Sequence, residues 1–164
     1  MTATFEQIVQ TDADALPAPD APAARTGRVV RLLGTLVVVV AGLVLGAAGA
    51  GTWVMVQTSL AGENITVAED AARFGGEKVD GPLTAYYEAD IIEKHALEAS
   101  GGKTYAELDR EDPARASVMN GSFLRASLFT SVVSFGIAAM AMGLGIVFVL
   151  VGVALRMLGR PQLA

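Results

Sequence analysis

The chain has 164 residues, 52% of them hydrophobic, with no cysteine and a formal net charge of −5. The missing thiols exclude disulfides, thiolate metal sites and the acylated cysteine of a lipoprotein. Charge is distributed against nucleic acid binding: Glu63 to Arg125 holds 13 acids against 7 Lys and Arg, a surface that repels a phosphate backbone.

The start of the chain mixes Ala, Pro and Thr with scattered Asp, as in Leu16-Pro17-Ala18-Pro19-Asp20-Ala21-Pro22. It offers no face to bury, so residues 1–30 read as a disordered cytoplasmic tail. Within it, Phe5, Ile8 and Val9 form a short apolar patch, whose lesser reading is a helical turn on a partner. Arg25, Arg28 and Arg31 then precede a run from Leu32 to Gly62 without a charged side chain. A bilayer core needs only about 20 apolar residues in helical form, so 31–57 is expected to be a first transmembrane helix. Trp53 falls near its outer end, where an amphipathic indole suits the headgroup layer. A rival reading is a cleaved secretory signal, because arginines, an apolar run and Ala48-Gly49-Ala50 imitate its parts. Against it, the apolar stretch continues through Trp53, Val54, Met55 and Val56.

Residues 58–125 are expected to form a helical extracytoplasmic loop. Gly75-Gly76 marks a turn and Gly81-Pro82 starts a helix that Gly101-Gly102 stops. Leu83, Tyr87, Ile91 and Ile92 recur on one face of that helix, which reads as internal packing. Thr104-Tyr105-Ala106-Glu107 fits the capping box of a further short helix. The segment is too small for a sizeable core of its own, so its helices should lean on each other or on a partner. Asp112-Pro113 marks another start, from which helix is expected to run into a second span at 126–155, uncharged from Ala126 to Leu155. Arg156 and Arg160 follow, in a cytoplasmic tail at 156–164. With arginines flanking both spans, the positive-inside rule puts both termini in the cytoplasm.

The fold class expected is therefore an all-α membrane protein, a two-helix transmembrane hairpin with a small helical extracytoplasmic segment. In lipid, helices pair through close packing and hydrogen bonds, which favours small residues on one stripe. Gly42, Gly46, Gly49 and Ala50 form such a stripe on the first span, with Gly34 and Thr35 further toward the cytoplasm. Ser127, Thr130, Ser131, Ser134, Ala138, Ala141 and Gly145 form one on the second. Facing stripes would leave Leu43, Leu45, Phe135, Phe148 and Leu150 mostly to lipid or to other proteins, and a leucine at Gly46 is expected to weaken the pairing.

Candidates for chemistry are few. His95, the one histidine, stands near Glu93, Lys94 and Glu98; His95 and Glu98 are weak ligand candidates, against the plain reading of a surface imidazole. One histidine excludes a site built from several imidazoles. Asp109-Arg110-Glu111-Asp112 reads as a solvated helix start ahead of a cation site. Arg125, at the mouth of the second span, is placed to snorkel toward lipid phosphate or to meet Glu63. No phosphate loop, nucleophile elbow or base and nucleophile pair is present in the sequence, so no catalytic residue, metal or cofactor is assigned.

The strings Ala61-Gly62-Glu63-Asn64-Ile65-Thr66-Val67, Val79-Asp80-Gly81-Pro82-Leu83-Thr84-Ala85-Tyr86, Gly102-Lys103-Thr104-Tyr105-Ala106-Glu107-Leu108-Asp109-Arg110 and Ser122-Phe123-Leu124-Arg125-Ala126-Ser127-Leu128-Phe129-Thr130-Ser131-Val132-Val133 resemble a family of small two-pass actinobacterial membrane proteins. The resemblance covers about residues 32–155. Members often carry the name aromatic ring-opening dioxygenase. It implies a bacterial plasma-membrane protein and carries over no catalytic residue. The function expected is a non-enzymatic accessory or scaffold subunit contacting a larger membrane complex. The alternatives are an ion- or small-ligand sensor acting through the acidic loop and, third, a component of a ring-opening dioxygenase.

Overall fold

The computed structural model describes residues 21–158. The patch at Phe5, Ile8 and Val9, most of the expected tail at 1–30, and Arg160 lie outside the described residues. Four helical stretches follow in chain order: α1 (Ala21–Leu36), continued through a π-helical segment (Val37–Leu43) into α2 (Val44–Gly62), then α3 (Pro82–Ala99) and α4 (Arg115–Leu158). Among the described residues there is no β-strand, only an isolated antiparallel bridge between Thr66 and Lys78. The chain is already helical at Ala21, the first described residue, ahead of the expected start of the span at 31. Ala23 and Ala24 suit a helix interior.

Two helices, Thr26–Gly62 and Arg115–Leu158, are long and apolar enough to cross a membrane. Only 11% and 17% of their most apolar windows are buried by the rest of the protein, which separates them from the core helices of a soluble domain. They lie side by side in opposite senses, as a series of backbone approaches shows. A Cβ on Gly34 would meet the Gly152 carbonyl at 3.1 Å, one on Gly145 the Gly42 carbonyl at 2.9 Å, and one on Gly49 the Ala138 carbonyl at 2.7 Å. Further along, the Trp53 and Phe135 rings meet edge to face at 4.7 Å.

The facing surfaces differ from the expected stripes. On α4 the buried positions are Leu128, Phe135, Ala138, Gly145 and Gly152. Ala138, Gly145 and Gly152 recur at seven-residue steps, the repeat that keeps one seam turned toward a neighbouring helix. Phe135, expected in lipid, is instead fully buried. Ser127 and Thr130 are exposed, and Ser131 and Ser134 half-buried. The hydroxyls of Thr130, Ser131 and Ser134 donate to their own i−4 carbonyls at 2.8, 3.3 and 2.8 Å, so none is left unsatisfied in an apolar setting. On the first helix Ala50 is exposed, and a Cβ on Gly46 would meet nothing within 4 Å. Each four-residue step on an α-helix overshoots a full turn by about 40°. Counting by four from Gly42 therefore walks off the seam that Gly49, seven residues on, regains.

Between the long helices the chain folds into a small module around their adjoining ends. Val67 donates its N–H to the Glu77 carbonyl and Val79 to the Ile65 carbonyl, both at 2.9 Å. These bonds turn Val67 and Val79 inward, where they are fully buried with Ala85 and Ala89 of α3. The same cluster contains Leu60, Leu128 and Phe135 of the long helices. The module's core is thus partly borrowed from the helices it clasps, which resolves how so short a segment buries apolar area.

Candidate functional site

The first turn of α3 is ordered by its own sequence. Pro82 occupies N1, and the Thr84 hydroxyl accepts the Gly81 N–H at 3.1 Å. The face that turns inward carries Thr84, Ala85, Glu88, Ala89 and Ile91. Leu83, read from sequence as internal packing, is instead 61% exposed. At about 100° per residue, the two-residue step from Leu83 to Ala85 puts them on opposite sides of the helix. Glu88 escaped the sequence reading because a charged residue on an amphipathic helix is ordinarily solvated. Here it is buried, and its Oε2 accepts the Ala68 N–H at 2.9 Å, tying the 63–80 loop to α3.

α3 lies antiparallel to the outer part of α4. A Cβ on Gly121 would meet the Ala96 methyl at 3.2 Å, and Tyr86 meets Phe129 edge to face at 5.9 Å. Between these contacts Arg125 pairs with Glu93, Nη2 to Oε2 at 2.7 Å, and its guanidinium lies 5.2 Å over the Phe129 ring. The expected partner Glu63 is thus replaced by Glu93. Arg125 Nε is buried without a hydrogen-bond partner, so the pair is held by geometry at one edge of the fork only. Beside it opens a cleft of about 310 Å³ lined by Leu97, Tyr105, Val118 and Ser122 among others. With Glu93 neutralising Arg125, the cleft presents no uncompensated cation to an anionic ligand.

The loop from Gly101 to Pro113 is fastened at both ends. Gly101 and Gly102 adopt φ of +65° and +84°, a conformation that ends α3 and that glycine adopts without steric cost. Thr104 and Glu107 bond as in half of a capping box, the Glu107 Oε2 accepting the Thr104 N–H and hydroxyl at 2.8 Å each. These bonds hold the Glu107 carboxyl below the usual range. No helix follows them, contrary to the sequence expectation; the residues form a turn. Arg115 donates to the Leu108 carbonyl at 2.6 Å, stacks 4.0 Å over Tyr105, and so spends the segment on docking to α4. Asp112 accepts the Ala114 N–H at 2.8 Å ahead of α4.

His95 and Glu98 are not brought to one site. The His95 Nε2 lies 2.8 Å from Asp70 Oδ2, while Glu98 sits 3.9 Å from Lys94. Asp70 lies 25 residues upstream, beyond any helix-spacing argument. Among the described residues no three His, Asp or Glu side chains gather as a metal site. The hydrogen bond from His95, followed by one from Asp70's own backbone amide, holds the Asp70 carboxyl below the ordinary aspartate value of 3.8. A depressed carboxyl stabilises the fold above its unfolded pKa and stops doing so as pH falls through its folded one. The protection factors of the 68–74 amides, with each rate referred to the intrinsic rate at the same pH, should therefore fall as pH drops below about 4, and Asp70→Asn should shrink that change. An unaltered acid response in the variant would show that the pair does not hold the loop.

Comparison with protein-family models, with curated proteins and with solved structures finds no match to this chain.

Proposed function

We propose that the protein is a two-pass membrane protein of the bacterial plasma membrane whose external module docks a larger membrane complex as a non-enzymatic accessory subunit. Arg31 to Trp53 covers about 33 Å of helix axis and Phe135 to Arg156 about 31 Å, each close to the hydrocarbon thickness of about 30 Å. Placing the bilayer between those levels puts Arg28, Arg31 and Arg156 on the cytoplasmic side with both termini, and residues 58–125 outside. It also leaves residues 126–134, first assigned to the span, in the headgroup layer and beyond, which suits the hydroxyls of Ser127, Thr130 and Ser131. Membership of the resembled actinobacterial family is part of the same proposal, supported by the strings at Ala61–Val67 and Ser122–Val133.

The observation that carries the docking role is Phe123. It is 65% exposed, with Leu124 and Met119 exposed beside it, and it stands about 18 Å outward of Phe135 along α4. Lipid does not reach that level, so an aromatic ring there is left to water unless a protein covers it. Affinity purification of the full chain in mild detergent should recover a stoichiometric membrane partner. Phe123→Glu combined with Met119→Glu should cut that recovery about tenfold, as removal of an aromatic anchor does. A wild-type protein that elutes alone, with the double variant indistinguishable from it, would refute the docking role.

A further inference from the structure

We infer that the first turn of α3 is a foot that seats the external module on the outer leaflet, with Leu83 inside the headgroup layer and Tyr86 at its outer margin. The inference rests on the membrane placement proposed above and commits to lipid as the occupant of this surface. Three contacts fix the direction of α3: Ala96 near Gly121, Glu93 on Arg125, and Tyr86 against Phe129. Read in that order they descend α4 toward Phe135, so the N-terminus of α3 points at the bilayer. Phe129 lies about 9 Å above the Phe135 level, and Leu83, three residues before Tyr86, sits about 4.5 Å lower than Tyr86. Leu83 therefore falls within the headgroup layer, which adds about 5 to 8 Å to each side of the hydrocarbon.

The surroundings continue the same surface. Val54, Met55 and Val133, at or just above the Trp53 and Phe135 level, are exposed apolar side chains that the bilayer covers. The next exposed positions outward are Gln57, Thr58 and Thr130, the change of polarity expected where lipid gives way to water. Leu83 and Tyr86 share a face, being three residues apart on a helix. The module does not need Leu83 for its own packing, since Ala85, Glu88 and Ala89 fill the core and Leu83 is left exposed. Pro82 and the Thr84 hydroxyl already order the turn, so little conformational freedom is lost when lipid closes over it.

The absence of cysteine makes the test direct. Leu83→Cys, Lys103→Cys and Met140→Cys, each in the full chain in nanodiscs of phosphatidylethanolamine and phosphatidylglycerol, are labelled with an environment-sensitive fluorophore. Quenching is read with nitroxides attached shallow or deep on the lipid, and with aqueous iodide. The label at 83 should be quenched several-fold more by shallow lipid nitroxide than the label at 103, which iodide alone should reach. The label at 140, on an exposed mid-helix position, should respond to the deep nitroxide. Should 140 respond while 83 behaves like 103, the foot is overturned and the spans stand. Should 140 escape lipid quenching altogether, the membrane placement fails and the foot with it.

Discussion

Gly145→Val and Gly49→Val each lower the stability of the paired long helices by about 1–3 kcal/mol, while Gly46→Leu leaves it unchanged. At Gly145 an added Cβ would meet the Gly42 carbonyl and the Gly46 nitrogen, both at 2.9 Å. At Gly49 it would meet the Ala138 carbonyl at 2.7 Å and the Met142 nitrogen at 3.0 Å. Backbone atoms on a neighbouring helix cannot rotate aside, so the helices must separate. Separation removes the dispersion contacts that hold helices together where the hydrophobic effect is absent. Gly152 sits in the same seam, where an added Cβ would meet the Gly34 carbonyl at 2.8 Å and the Val38 nitrogen at 3.1 Å besides the Val38 side chain. Gly46 supplies backbone to the seam but directs its own Cβ outward. Denaturant titration of the protein in detergent, with helicity as the readout, checks all three variants. A Gly46→Leu loss as large as that of Gly145→Val would put the seam elsewhere.

Glu88→Ala should loosen the 63–80 loop and lower the module's stability by about 1 kcal/mol, the cost of leaving a half-buried donor without its acceptor. The carboxylate is only 8% exposed and accepts the Ala68 N–H at 2.9 Å. Truncation leaves that amide facing an apolar space and opens a cavity beside Val67 and Val79. Glu88→Gln keeps one acceptor oxygen but introduces a buried NH2 group, so it should recover part of the loss and no more. Limited proteolysis of the 63–80 loop, with exchange of the Ala68 amide, distinguishes the outcomes. If Glu88→Ala left both untouched, the loop would be held by its backbone bonds alone and the buried carboxylate would have no positioning role.

The candidate sites were legible to different depths. The arginine at 125 was visible as an interfacial cation, but its partner Glu93 lies on another helix 32 positions away and no spacing rule reaches that far. The same limit hid Asp70 from His95 and Ala68 from Glu88. Leu83 was visible as part of an amphipathic pattern, yet the pattern could not say whether its apolar face met protein or lipid. The capping residues Thr104 and Glu107 formed their bonds without a helix, because Arg115 draws the following carbonyl of Leu108 to itself.

By itself the sequence determined that two long apolar helices form. The free energy of placing charge or unpaired backbone in an apolar medium depends only on local composition, and two uncharged runs meet it without help from elsewhere. Tertiary structure alone decided which glycines face the neighbouring helix, which carboxylates are buried, and that the module borrows its core from Leu60, Leu128 and Phe135. Those outcomes turn on the rotation of one helix against another. The drift between a four-residue count and the true helical turn accumulates along the rod until only contact with the partner settles which side is which.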